Sequence, residues 1–297
     1  MSMTGANDMQ AVLAAEGDVP GALGFYAAVM GLLPRPGGAK PVVNLGPGGA
    51  EAVALAQTVL RAFGKLSVTV TRGRLDALRI EAASRLRAAK VAGRGLRVGG
   101  GEVALATVTP AHAGFFALEI LHLRHDRFDG TTSDTIRREV FVSGDAVTVL
   151  PYDPVRDRVL LIEQFRVGPC RRGDPLPWQL EAIAGRIDPG ESPEDCARRE
   201  AVEEAGLTLG TLEAVAAYYP SPGAMTEYIY SFVAVCDLAD GVAGLFGKPE
   251  ESEDIKGHLM DFDALMAAVR AGEVANAPLI LTALWLERER PRLRAGA

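Results

Sequence analysis

The chain has 297 residues, a length natural for two domains, and its 48% hydrophobic and 23% charged residues match an ordinary globular protein. Its formal net charge is −7. A protein that follows a nucleic-acid backbone carries an excess of Lys and Arg, so this charge argues against a nucleic-acid partner. An acidic protein that acts on a polyanionic molecule needs another source of positive charge, and bound metal ions can supply it.

The three cysteines, Cys170, Cys196 and Cys236, are odd in number and far apart in the sequence. They form neither a disulfide framework nor a set of four metal ligands, and this pattern predicts a cytoplasmic protein. The amino terminus has no basic segment followed by an apolar one, so no signal peptide is expected. No apolar run reaches the roughly 20 residues that span a bilayer, so no membrane partner is expected either.

Residues 1–108 are rich in Ala and Gly. Apolar periodicity predicts helices at residues 48–63 and 73–90, and strands at residues 65–71 and 102–108. Together these elements predict a small α+β domain, and nothing in its sequence indicates what that domain does.

The pattern changes after this point, and residues 109–297 are predicted to form a second domain. Strands are expected in the segments FFALEILHLRH, REVFVSG, AVTVLPY and RVLLIEQFRV, with a turn at residues 152–158 that joins the last two as a hairpin. Two further strands, AVAAYY and YIYSFVAVC, precede two helices, FDALMAAVRAGE and APLILTALWLERERPRLR. The predicted fold class is α/β, a mixed sheet with helices on its faces that forms an α/β/α sandwich.

One segment of this second domain, GRIDPGESPEDCARREAVEEAGL at residues 185–207, has a strict pattern. It fits G-x5-E-x7-R-E-U-x-E-E-x-G-U, in which U is aliphatic, at every constrained position. Ser192 is a natural N-cap, Pro193 suits the first helical position and Gly206 suits the residue that ends a helix. The segment therefore predicts a helix over residues 193–205.

The predicted helix gathers carboxylates. Glu200 and Glu204 are four residues apart and share a face, and Glu203 lies beside them. Hard divalent cations such as Mg²⁺ bind oxygen ligands, and like charges held this close repel each other unless a cation compensates them. A solvated acidic surface helix is the alternative interpretation, but Gly185 and Glu191 at their offsets favour a metal site.

The complete pattern resembles the signature of the Nudix hydrolases, in which a loop–helix–loop binds Mg²⁺ or Mn²⁺ and a nucleoside diphosphate linked to another group is hydrolysed. The resemblance implies four metal ligands: Glu200, Glu204, Glu203, which ligates or assists, and the backbone carbonyl of Ala184. It also implies structural roles for Gly185, Glu191, Arg199 and Gly206. Glu191 and Arg199 are expected to pair and to hold the loop against the helix.

From about residue 114 to residue 294 the chain is similar to the bacterial ADP-ribose pyrophosphatases, which convert ADP-ribose to AMP and ribose 5-phosphate. Besides the signature, the matching segments are GFFALEILHLRHDRFDG, RREVFVSG, LPYDPVRDRVLLIEQFR, SPGAMTE, ESEDI and NAPLILTALWL. Pro222 lies fifteen residues after Leu207, where this subgroup has a proline. A subgroup that acts on GDP-mannose shares much of the SPGAMTE segment, so GDP-mannose is the alternative substrate.

The same resemblance implies the residues that bind the substrate, a nucleoside diphosphate sugar. Phe115 is expected to stack on adenine. Arg138 and Arg166 are expected to bind the nucleotide and its phosphates, and Ser221 and Glu227 to line the ribose side.

The segment ESEDI is expected to supply the catalytic base. Glu253 matches a loop carboxylate that activates water, Glu251 is its neighbour, and Glu203 is close enough to assist. A metal-bound water has a lowered pKa and a carboxylate accepts its proton. The alternative interpretation of this segment is a charged surface turn.

Enzymes of this subgroup are homodimers in which amino-terminal strands of one subunit help to build the nucleotide pocket of the other, and Phe115 and Arg138 lie in the matching segment. Some tellurite-resistance-associated relatives also carry an extra amino-terminal domain, but the Y-G-T-L-type loop of that domain is absent here. A function of another class, a Nudix domain that senses a nucleotide sugar without cleaving it, predicts a degenerate signature. The signature of this chain is intact.

Overall fold

A computed structural model describes residues 19–31, 49–90, 101–248 and 253–296. By its contacts the chain divides into two compact units, Met1–Gly144 with Ser221–Glu227, and Asp145–Pro220 with Tyr228–Ala297. These units reflect contacts rather than independent folding, so the domain boundary at residue 108 stays a prediction.

The described helices of the first unit are α1 (Val19–Val29), α2 (Gly49–Leu60), α3 (Val68–Gly73) and α4 (Leu75–Lys90). Side chains such as Tyr26, Val59 and Leu78 form their common core. The helices predicted over residues 48–63 and 73–90 are therefore confirmed.

The strand predicted over residues 65–71 is wrong, because α3 occupies most of this segment. The hydroxyl of Ser67 accepts a hydrogen bond from the N–H of Val70 at 3.3 Å and caps the helix. The side chain of Thr71 is buried in the first unit. Capping and packing thus outweigh the strand preference of the β-branched residues.

The same unit contains an antiparallel sheet of three strands, β1 (Val103–Ala113), β2 (Ala117–His125) and β3 (Ile136–Val142), in the order β1-β2-β3. The loop of residues 221–227 bonds to β3: the N–H of Phe141 donates to the carbonyl of Ala224 at 2.8 Å, and the N–H of Thr226 donates to the carbonyl of Phe141 at 3.0 Å. The segment SPGAMTE therefore belongs to the first unit, together with Phe115 and Arg138.

The second unit contains an eight-stranded mixed sheet. Its strands are β4 (Ala146–Asp153), β5 (Arg158–Phe165), β6 (Trp178–Glu181), β7 (Ile183–Arg186), β8 (Thr211–Tyr218), β9 (Ile229–Val235), β10 (Leu245–Phe246) and β11 (Ile255–Asp261). The order is β10-β11-β5-β4-β9-β8, with β6 paired to β5 and β7 paired to β4. Strands β4 and β9 are parallel and the other pairs are antiparallel.

Three helices cover the two faces of this sheet: α6 (Pro193–Ala205) follows β7, and α7 (Phe262–Ala271) and α8 (Ala277–Ala295) end the chain. The short helix α5 (Val167–Arg172) follows β5 and has no buried residue. Val147 and Val149 of β4 pack in one core with α6, whereas Leu150 and Tyr152 pack in another with α7 and α8. This alternation gives the α/β/α sandwich that the sequence predicts. None of the helices in the described ranges is long and apolar enough to cross a membrane.

Candidate active site

The signature helix α6 begins and ends where the sequence predicts. The hydroxyl of Ser192 accepts a hydrogen bond from the N–H of Asp195 at 3.1 Å and donates one to the Asp195 carboxylate at 2.7 Å. Pro193 occupies the first turn, and Gly206 ends the helix with φ of 61°. Cys196, on the opposite side from solvent, is fully buried, so α6 packs closely on the sheet.

Gly185 of β7 lies directly against Glu200 of α6. A Cβ atom on residue 185 would lie 1.9 Å from Glu200 Oε1 and 2.5 Å from its Cγ, far inside van der Waals contact. The thiol of Cys196 donates to the carbonyl of Arg186 at 3.1 Å on the same strand. The missing side chain at residue 185 therefore leaves the space that the Glu200 carboxylate occupies.

The guanidinium of Arg199 joins the loop to the helix. Its Nε and Nη2 donate to the two carboxylate oxygens of Glu191 at 2.9 and 3.0 Å. Its Nη1 donates to Glu200 Oε1 at 2.7 Å and to Glu203 Oε2 at 3.1 Å. The bonds to Glu191 and the charge of Glu200 hold the pKa of Arg199 well above its usual value. Arg199 thus stays charged and neutralises part of the acidic cluster.

Two carboxylates of α6 are buried, with Glu204 only 3% exposed and Glu200 9%. Burial raises the pKa of Glu200 to about 7, although Arg199 opposes the shift. Burial also raises the pKa of Glu204 to about 8; the N–H of Ala184, which donates to Glu204 Oε2 at 2.9 Å, opposes this shift, and the charges of Glu200 and Glu253 add to it. The protein partners therefore do not fully stabilise the ionised forms of these two carboxyl groups.

The donor chemistry of this cluster fits a divalent cation of the Mg²⁺ type, which prefers oxygen ligands. Because the N–H and C=O of one strand residue point to the same side, the carbonyl of Ala184 faces the same side as the N–H that bonds to Glu204. Within the described residues, no three His, Cys, Asp or Glu side chains converge as they stand on one metal position. Arg199 pairs with Glu200 and Glu203, and Lys248 pairs with Glu203. A cation bound by these carboxylates would compete with the two basic side chains.

Lys248 connects α6 to Glu253, the predicted base. Its Nζ lies 2.9 Å from Glu203 Oε2. Its backbone N–H donates to Glu253 Oε2 at 3.2 Å, and the N–H of Glu253 donates to the Lys248 carbonyl at 3.2 Å. Glu251, predicted to be the neighbour of the base, lies outside the described residues.

Arg166, at the end of β5, is held by Glu181 of β6. Its Nε lies 3.1 Å and its Nη2 2.7 Å from Glu181 Oε2. Burial lowers the pKa of Arg166, but the bonds to Glu181 more than reverse this effect, and the charges of Glu204 and Glu253 raise the pKa further. The predicted phosphate-binding arginine therefore lies in the electrostatic field of the predicted metal ligands and base.

The remaining predicted substrate residues lie in the first unit: Phe115, Arg138, Ser221 and Glu227. The ring of Phe115 is 74% exposed and touches Phe116 edge to face, with ring centres 4.8 Å apart. Arg138 and Ser221 are also exposed, and Glu227 is half-buried. An exposed ring is available for stacking on a base, and the four roles stay predictions.

Sequence reasoning missed two residues of this region, Glu181 and Lys248. Glu181 interrupts the largely apolar segment LEAIA, and a buried position for an acidic residue there is a signal that could have marked it. Lys248 carries no such signal, because its contacts with Glu203 and Glu253 depend on how the loop after β10 folds.

Comparison with known proteins identifies the family of this chain. The family model of the NUDIX domain matches residues 142–281. The ADP-ribose pyrophosphatase of Escherichia coli (strain K12) is 39% identical over 183 residues, which are 62% of this chain and 87% of that protein. The chain belongs to the Nudix hydrolase family. The predicted resemblance to this family is therefore confirmed.

Other Nudix relatives include the ADP-ribose pyrophosphatase of Haemophilus influenzae, 36% identical over 178 residues that cover 59% of this chain and 82% of that protein. The GDP-mannose pyrophosphatase of Enterobacter sp. (strain 638) is 32% identical over 151 residues, covering 51% of this chain and 78% of that protein. The crystal structure of an ADP compounds hydrolase has the same fold, with a TM-score of 0.50 and 19% identity, and the match covers 67% of this chain and 100% of that one.

The contact between Gly185 and Glu200 predicts the effect of a single methyl group. We expect Gly185→Ala to displace the Glu200 carboxylate and to lower hydrolytic activity by roughly tenfold to 10²-fold, because small displacements of catalytic groups are costly. Gly24→Ala is the matched control, since Gly24 is an exposed helical glycine with nothing within 4 Å of an added Cβ. Unchanged activity in Gly185→Ala at wild-type thermal stability would show that the position of Glu200 is not critical.

The burial of Glu204 predicts opposite effects on activity and stability. In Glu204→Gln the amide oxygen can still accept the N–H of Ala184, but the group can no longer ionise. We expect activity to fall by about 10²-fold or more while the melting temperature without metal stays equal or rises. We also expect the increase in melting temperature that Mg²⁺ gives to the wild type to disappear, since a ligand stabilises the folded state that binds it. Near wild-type turnover with Mg²⁺ would contradict the metal assignment.

Proposed function

We propose that the chain hydrolyses the pyrophosphate bond of ADP-ribose to AMP and ribose 5-phosphate with Mg²⁺, or alternatively Mn²⁺, as cofactor. The observation that carries this proposal is the pair of buried carboxylates, Glu200 and Glu204, beside the backbone of Ala184 on an intact signature helix. The choice of substrate rests on 39% identity over 183 residues to a relative named ADP-ribose pyrophosphatase.

In the proposed reaction, Glu200, Glu203, Glu204 and the carbonyl of Ala184 would hold the metal, which would neutralise pyrophosphate charge and lower the pKa of a bound water. Glu253 accepts the proton of the attacking water while the water oxygen bonds to phosphorus and the anhydride P–O bond breaks. The contacts of Lys248 support this role, because its backbone N–H bonds to Glu253 while its Nζ pairs with Glu203 of α6.

The other residues of the proposed site bind and orient the substrate. Arg166 and Arg138 bind the phosphates, and Phe115 stacks on the adenine ring. Ser221 and Glu227 line the ribose. Such positioning accounts for part of the rate enhancement, because it fixes the phosphorus next to the water.

GDP-mannose is the second candidate substrate, because a relative named GDP-mannose pyrophosphatase is 32% identical over 151 residues. ADP-ribose is favoured over it because the ADP-ribose pyrophosphatase match is longer and has the higher identity, 39% over 183 residues.

A substrate panel tests the proposal. Purified protein is incubated with ADP-ribose, GDP-mannose, NADH or diadenosine polyphosphates, with Mg²⁺ and with EDTA, and release of AMP or phosphate is measured. We expect the highest kcat/KM for ADP-ribose and no turnover in EDTA. A higher kcat/KM for GDP-mannose would make GDP-mannose the substrate instead of ADP-ribose. Binding of a compound without turnover of any would favour a domain that senses a nucleotide sugar without cleaving it.

The base assignment gives a separate prediction. We expect Glu253→Gln to lower kcat by roughly 10²- to 10⁴-fold with little change in KM, the range for a lost proton acceptor. Glu251→Gln is the companion variant, and we expect a smaller loss for a neighbour of the base. A raised KM with unchanged kcat in Glu253→Gln would make Glu253 a binding residue instead.

We further propose a cytoplasmic homodimer in which residues 109–297 form the catalytic domain and residues 1–108 an additional domain. Phe115 and Arg138 of one subunit would then complete the nucleotide pocket of the other. The exposure of Phe115 supports this arrangement, since the ring has apolar surface available to a ligand.

Subunit exchange tests the shared pocket. Phe115→Ala/Arg138→Ala and Glu204→Gln are each expected to be nearly inactive, and stacking on a base contributes about 1–3 kcal/mol. If the pocket is shared, one site of each mixed dimer carries both defects and the other carries none. We therefore expect activity to return on mixing. No recovery, with exchange verified by mass spectrometry, would mean that each subunit builds its own site.

A further inference from the structure

Glu181 is a buried carboxylate that the proposed reaction does not use directly. It is 5% exposed. Its oxygens accept hydrogen bonds from Nε and Nη2 of Arg166, the shortest at 2.7 Å, and from Nδ2 of Asn276 at 3.0 Å. A carboxylate is buried at low cost only when donors compensate it in this way.

Asn276 is at once a partner of Glu181 and the N-cap of α8. Its Oδ1 accepts the N–H of Leu279 at 2.9 Å, while its Nδ2 donates to Glu181. The two ends of one amide therefore bond to the first turn of α8 and to the carboxylate. Because α8 is packed in the core through Leu279, Ala283 and Leu286, the amide that bonds to Glu181 is anchored to a core helix.

The bonds to Glu181 also fix the orientation of Arg166. A guanidinium has five N–H donors in one plane, and Glu181 engages those of Nε and Nη2 on one edge. The Nη1 donors belong to the other edge, and the side chain of Arg166 is 41% exposed. A guanidinium held by one edge can present the other to a phosphate without the entropy loss of ordering a free side chain.

We propose that Glu181 and Asn276 are positioning residues for Arg166, and that the cap of α8 thereby sets the geometry of phosphate binding. This inference rests on the proposed function, in which Arg166 binds the pyrophosphate. A buried ion pair is weak support for stability, since apolar pairs of similar volume are often as stable. The buried pair of Arg166 and Glu181 is therefore better explained by the orientation of Arg166 than by a gain in stability.

A double-mutant cycle tests the inference. We expect Glu181→Gln to lower kcat/KM for ADP-ribose by roughly tenfold to 10²-fold, because the misplaced guanidinium contacts the phosphate poorly. In the Arg166→Ala background the same substitution should have almost no further effect, since its target is gone. Equal losses in both backgrounds would overturn the proposal, because they would show that Glu181 acts on general structure.

Two substitutions of Asn276 separate its cap from its contact with Glu181. Ser and Asp are both good N-cap residues, so Asn276→Ser and Asn276→Asp keep the cap of α8. Ser cannot reach Glu181 in the same way, and Asp places a second negative charge beside it. We expect kcat/KM to fall in the order wild type, Asn276→Ser, Asn276→Asp, with a melting temperature close to that of the wild type for Asn276→Ser and a lower one for Asn276→Asp, whose second carboxylate repels Glu181. Wild-type kcat/KM in both variants would overturn the role of Asn276.

Glu213→Gln is the matched control, because Glu213 lies 3.0 Å from Arg292 near the other end of α8. It loses the same charge and an arginine partner, and we expect unchanged kinetics. If Glu181→Gln does not fold, the Asn276 variants decide the question alone. A wild-type protein without activity on ADP-ribose refutes the proposed function, whereas an active wild type with additive losses refutes only the positioning role.

Discussion

The candidate site depends on two carboxyl groups that are held in buried positions on α6. Glu200 and Glu204 are almost inaccessible, and burial raises the pKa of both. Arg199 compensates Glu200 and also bonds to Glu191 and Glu203, so a single guanidinium pairs with three carboxylates. A divalent cation beside these carboxyl groups would favour their ionised forms, because its charge would supply the compensation that the protein partners do not provide.

The backbone of β7 makes this arrangement possible. Gly185 leaves space for the Glu200 carboxylate, and the N–H of Ala184 donates to Glu204. Antiparallel pairing of β7 with β4 fixes the direction of these groups, since Ala184 lies opposite Thr148 in the register. Small buried residues of α6, such as Cys196 and Ala201, allow the helix to lie close to the strand. The positions of the two carboxylates thus depend together on the register of β7, on the glycine at residue 185 and on the small residues of α6.

Local features of the sequence predict the parts of the molecule that local chemistry decides. Ser192 and Gly206 gave the bounds of α6, because a cap bond and a left-handed residue act within one turn. The strand prediction for residues 65–71 was wrong for the complementary reason. The β-branched residues of this segment favour a strand, and only the packing of the first unit selects the helix that Ser67 caps. Lys248 and Asn276 approach their acidic partners across long stretches of chain, a relation that periodicity does not contain.

A comparison of Glu181 with Glu204 shows how one fold treats buried carboxylates in two ways. Glu181 receives donors from Arg166 and Asn276, so its charge is matched by protein groups. Glu204 accepts the N–H of Ala184 but lies near the charges of Glu200 and Glu253, which oppose its ionisation. A fully compensated carboxylate is suited to hold another side chain, because it gains little from a new cation. An under-compensated one is suited to bind a metal, and the difference lies in the donors each residue receives rather than in the residue type.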